Sequence, residues 1–129
     1  MNEQDFQSIF EELQKVTPND WERIAFYAEY SEGSYSMKFY VKSNDTYTDC
    51  FNLPDINKSE LIKTFMKIDS VIKPIREHIP SEKKFNVLTI IISSDGKFNA
   101  DFDYTDIQDN VLVYHKNWEN KYLKKLKIF

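Results

Sequence analysis

The segment Val87-Leu88-Thr89-Ile90-Ile91-Ile92 limits the possible folds of this chain more than any other. Six consecutive positions are apolar or threonine, and most are β-branched. Such a run suits a strand whose two faces are both covered, so it belongs in the middle of a sheet. Asp95-Gly96 follows and favours a tight type I′ hairpin turn. The returning segment, Phe98 to Tyr104, alternates strictly. Phe98, Ala100, Phe102 and Tyr104 share one face, and Asn99, Asp101 and Asp103 share the other. The sheet therefore acquires an acidic strand beside its most apolar one.

Similar patterns fill the rest of the chain. Phe6, Ile9, Phe10, Leu13 and Val16 recur at helical spacing, with acids early and Lys15 late, as the helix dipole prefers. Pro18 closes that helix. Ile24, Phe26, Ala28 and Tyr30 alternate with Arg23, Ala25, Tyr27 and Glu29, which predicts a strand. Gly33 turns the chain into a second alternating strand, Tyr35 to Lys42. The turn Ser43-Asn44-Asp45-Thr46 leads to a short third strand, Tyr47 to Phe51. Asn57 is placed to cap a long helix with Glu60 three residues on, as in a capping box. Leu61, Phe65, Ile68, Ile72 and Ile75 form its stripe, Pro74 is expected to kink it or start a new turn, and Pro80 ends it. After the fourth and fifth strands, Ile107, Val111, Trp118, Tyr122 and Leu126 predict a C-terminal helix ending in lysines. The expected fold is α+β, in the order α-β-β-β-α-β-β-α. It has an antiparallel sheet of about five strands with helices on one face, and residues 1–129 make one domain.

Chemistry is limited by what the sequence lacks. Two glycines cannot build a phosphate-cradling loop, and no Gly-x-Ser-x-Gly elbow is present. No catalytic, cofactor-binding or metal-ligating residues are expected. Cys50 reads as a buried structural thiol, and His78 as a residue near a helix C-terminus. His78 and His115 lack ligand-like spacing. The lone cysteine, the absence of a long apolar run and an acidic, amphipathic start fit a cytoplasmic protein with no signal peptide. Residues 1–57 carry 11 acids and 4 bases, and residues 58–129 carry 10 acids and 13 bases, for a net charge of −4. With a pI of about 5.2, direct nucleic-acid binding is not expected, nor is membrane binding, whereas a basic protein partner is permitted.

The acidic strand is either a solvated face or a binding face. Tyr27 and Glu29 on the first strand and Tyr40 on the second fall in the outward register. Together with Asp101, Asp103 and Asp106 they are the candidate partner-binding residues. Tyrosines among carboxylates on an open sheet are more typical of an interface than of a surface serving only solubility. Reversing the charges of Asp101 and Asp103 should then leave folding nearly untouched.

The chain resembles the YezG-like antitoxins. The residues that carry the likeness are Pro18, Trp21 and Glu22; the strand through Tyr27 and Glu29; Gly96, Lys97 and Phe98; Phe102, Asp103 and Tyr104; and the lysine-rich tail. Phe85 stands where many members of that family have a tryptophan. The resemblance implies a small cytosolic immunity protein that neutralises a secreted bacterial toxin by binding it, commonly a toxin with a nuclease domain. It implies no catalytic residues, and it leaves the oligomeric state open. An alternative of a different class is a secretion chaperone that holds an extended effector segment, which rests on element order alone.

Overall fold

The computed structural model describes residues 1–123. Its elements are α1 (Glu3–Gln14), β1 (Arg23–Ser31), β2 (Ser34–Ser43), β3 (Thr46–Asp49), α2 (Lys58–Glu77), β4 (Val87–Ser93), β5 (Phe98–Asp103) and α3 (Val111–Tyr122), with short 3₁₀ turns at Cys50–Asn52 and Ser81–Lys83. The strands form one antiparallel sheet in the order β3-β2-β1-β4-β5. The α+β class, the five strands and the element order are as the sequence predicts. Leu126 and the terminal lysines lie outside the described residues.

Local chemistry accounts for the starts of α1 and α2. α1 starts at a capping box: the Asn2 side chain accepts from the Asp5 N–H at 3.0 Å, and the Asp5 carboxylate accepts from the Asn2 N–H at 2.8 Å. Asn57 caps α2 by accepting from the N–H groups of Ser59 and Glu60. The helix continues through Pro74 to Glu77, so no new turn starts there.

The turn chemistry also differs from expectation. Asp95 keeps a negative φ and only Gly96 is left-handed, at +93°, so the β4–β5 connection is not type I′. The Ser93 N–H donates to the Lys97 carbonyl, and the Gly96 N–H to the Ser93 carbonyl, as in a type I turn with a glycine bulge. The paired positive φ values of a type I′ turn occur instead at Asn44 (53°) and Asp45 (63°), between β2 and β3. Glu22 holds that turn, accepting from the Asn44 N–H at 2.9 Å. Trp21 meets Phe10 edge-on at 5.9 Å, so neighbouring residues pin both the helix and the turn to the start of β1.

The layering is fuller than a single helical face. α1 and α2 bury Ile9, Leu13, Leu61, Ile68 and Ile72 against Ile24, Phe26, Ala28, Phe39 and Ile90. On the opposite face a second, smaller cluster gathers Ala25, Tyr27, Tyr40 and Val87 around Trp118 of α3. β4 is thus covered on both sides, as its unbroken apolar run requires. Cys50 is fully buried at the start of a 3₁₀ turn, and burial pushes its thiol up to about 12.

Candidate functional site

The acidic face of the sheet is built from Glu29 on β1, Thr89 on β4, and Asp101 and Asp103 on β5. These residues share a face because strand side chains alternate and the registers align them: Glu29 sits opposite Val87, Thr89 opposite Asp101, and Val87 opposite Asp103. α3 crosses this face and meets each polar group with a donor or a titratable nitrogen. The Tyr114 hydroxyl donates to Asp103 Oδ2 at 2.6 Å, and the Tyr122 hydroxyl donates to Asp101 Oδ2 at 2.5 Å. His115 Nε2 lies 2.6 Å from Glu29 Oε1, which also accepts from the Tyr27 hydroxyl at 2.8 Å. Trp118 Nε1 donates to Thr89 Oγ1 at 2.8 Å, while its ring lies against Tyr27, Tyr40 and Tyr122.

This arrangement corrects the outward placement of two candidate residues. Tyr27 is 1% exposed and Tyr40 is 7% exposed, because Trp118 covers both rings. Neither ring is available to a partner in this conformation. Glu29 and Asp103 are half-buried under α3. Asp101 is exposed although its carboxylate is tied to Tyr122. Asp106 is also exposed, but it lies apart from the other aspartates. Its carboxylate accepts from the Gln108 N–H, and it borders a hollow with Arg76 and Lys84. The structure therefore brings Asp101 and Asp103 together and leaves Asp106 elsewhere. Reversing Asp101 and Asp103 would also break two phenol–carboxylate bonds, so it is not silent for folding.

The electrostatics follow from these pairings. Burial alone would raise the Asp103 carboxyl. Hydrogen bonds from Tyr114 and Thr105 and the charge of Lys121 outweigh it and hold the group below the usual carboxylate range. Burial first, then donation to a carboxylate, pushes the phenols of Tyr27, Tyr114 and Tyr122 well above their ordinary value. Asp103 thus stays ionised, and the three phenols stay protonated, through physiological pH. Among the described residues no cluster of His, Cys, Asp and Glu is placed to hold a metal ion. No helix among them is long and apolar enough to cross a membrane.

Tyr114 and His115 were not among the candidates from sequence. The signal for Tyr114 was its four-residue spacing with Trp118 and Tyr122, aromatic residues that each carry a polar tip on one helical face, whereas His115 had no such signal.

The other side of β5 is less fully covered. Phe98 is 47% exposed and Phe102 37% exposed, although Phe6 of α1 and Phe85 lie against them at 5.0 and 5.1 Å. A groove of about 810 Å³ opens between α1 and the β4–β5 hairpin. Its apolar lining comes from Phe6, Phe10, Trp21, Ile90, Ile92 and Phe98, with Glu3, Gln4 and Gln7 at the rim.

Comparison with known proteins agrees with the family resemblance. The family model described as "Immunity protein YezG-like" matches residues 3–128. A curated relative from Bacillus spizizenii, named Immunity protein YezG, is 24% identical over 109 residues, spanning 79% of this chain and 68% of the relative.

Proposed function

Because the chain belongs to the YezG-like immunity protein family, we propose that it binds and neutralises a cognate secreted toxin, and that the toxin acts through a basic nuclease domain. The observation that carries this reading is the family match across residues 3–128. The geometry adds a physical rationale for the nuclease. A nuclease presents cations to hold phosphates. Ionised carboxylates in fixed positions compete for the same cations, and opposite charge speeds the encounter. Asp101 and Asp103 are such carboxylates, each held by a tyrosine of α3. Action is by binding rather than turnover, in the cytoplasm of the cell that needs protection.

The test is co-expression with the C-terminal domain of the toxin encoded beside this chain's own gene. Growth should be restored and the two should co-purify. The isolated domain should cleave nucleic acid, and adding the chain should stop it. Undiminished killing would overturn the immunity reading. A domain that kills without cleaving nucleic acid would overturn only the nuclease assignment.

A further inference from the structure

We propose that the free edge of β5 captures an extended segment of the partner protein as a sixth strand, and that this segment alternates apolar and basic residues. The proposal rests on the toxin-binding reading and names the element that would be recognised.

The first observation is the edge itself. β5 ends the sheet, and among the described residues nothing pairs with its outer side. The Ser93 N–H donates to the Lys97 carbonyl, and β5 pairs with β4 in continuous antiparallel register. Alternation then turns Asn99, Asp101 and Asp103 toward β4. The N–H and C=O groups of Phe98, Ala100 and Phe102 point outward. Six residues, Phe98–Asp103, present this edge without a proline or a bulge. An unpaired row of that kind is a template for strand addition.

The second observation is that the two faces beside the edge ask for opposite chemistry. On one face Phe98 and Phe102 stay substantially exposed, and Phe98 opens into the groove against α1. On the other lie Asp101 and Asp103. An added strand alternates faces with the same period of two. Its residues beside Phe98, Ala100 and Phe102 gain by being apolar, and those beside Asp101 and Asp103 gain by being basic. A second copy of this chain fits poorly. Edge-to-edge pairing of two β5 strands would crowd aspartates on one face, and like charges placed together are repelled.

The experiment uses the full chain and an end-blocked peptide of alternating valine and lysine, matched to the six residues of β5. Two controls share its length: one with the valines and lysines in separate blocks, one alternating valine with glutamate. Amide hydrogen exchange, read by NMR, should slow at Phe98, Ala100 and Phe102 only with the alternating valine–lysine peptide. Its affinity should exceed that of either control by about tenfold or more, the factor that 1.4 kcal/mol represents. Ala100→Pro removes one outward N–H and should abolish capture. Asp101→Asn keeps the acceptor for Tyr122, removes a charge, and should weaken capture and its salt dependence together. Unchanged exchange at the three amides, equal binding of the valine–glutamate peptide, or full binding by a folded Ala100→Pro variant would each overturn the proposal. If co-expression still protects cells when capture fails, only this inference falls. If capture succeeds and protection fails, the immunity reading falls instead.

Discussion

The two faces of the sheet are both covered, but by different physical means. The face under α1 and α2 is held mainly by close-packed apolar side chains such as Phe26, Phe39, Ile68 and Ile72, with only scattered polar groups such as the Tyr30 hydroxyl and Thr64 among them. The face under α3 is held by one tryptophan and a row of polar pairs: Tyr114 to Asp103, Tyr122 to Asp101, Trp118 to Thr89, and His115 beside Glu29. Dispersion and water exclusion scale with area, whereas hydrogen bonds exchanged with water contribute little net free energy each. The first face should therefore set global stability. The second should set how firmly α3 stays in place, and with it how the carboxylates are presented.

Four measurements test that division, and the largest effect belongs to the apolar face. Phe26→Ala should cost about 3–5 kcal/mol, the usual range for a fully buried aromatic, and should lower the melting temperature of the whole domain in one transition. A loss confined to α3 would refute the division.

Trp118→Ala should cost less, about 3 kcal/mol at the low end of that range, because its cluster is smaller and closes over one helix. Hydrogen exchange should rise throughout α3 while the amides of β1 and α2 stay protected. Equal loss on both faces would show a single cooperative core instead.

Alkali provides a milder probe. The phenols of Tyr27, Tyr114 and Tyr122 have folded values above their unfolded ones. Their contribution is complete below about pH 10, the unfolded phenol value, and is lost as pH rises through the folded values. α3 should loosen first on alkaline titration. Tyr114→Phe with Tyr122→Phe should lose about 1 kcal/mol for each bond and flatten that dependence. An unchanged alkaline transition would place its cause elsewhere, with Tyr30 on the other face the next residue to change.

The smallest effect is acidic. Asp103 has a lowered folded value, so its contribution is full above the unfolded value of 3.8 and declines as pH falls through the folded one. Asp103→Asn should leave stability below that window nearly unchanged and reduce it modestly above. A variant with the wild-type acid limb would show that the Tyr114 contact carries no stability.

The helices, the five strands and their faces were legible from sequence because they follow from local rules. Spacing marks helices, alternation marks strands, and the unbroken run at Val87–Ile92 demanded cover on both sides of β4. The identity of that cover was not legible. Tyr27 and Tyr40 alternate as outward residues should, and alternation distinguishes one face from the other but not water from a helix. His115 meets Glu29 across 86 residues of sequence, and no local pattern encodes a contact at that range. Turn types were misplaced for a related reason. Asp95-Gly96 and Asn44-Asp45 both carry turn residues, and the strand registers on either side decided which pair took two positive φ values. Sequence alone thus determined which residues share a face. Tertiary structure decided which carboxylates α3 holds, because that outcome depends on where the third helix comes to rest.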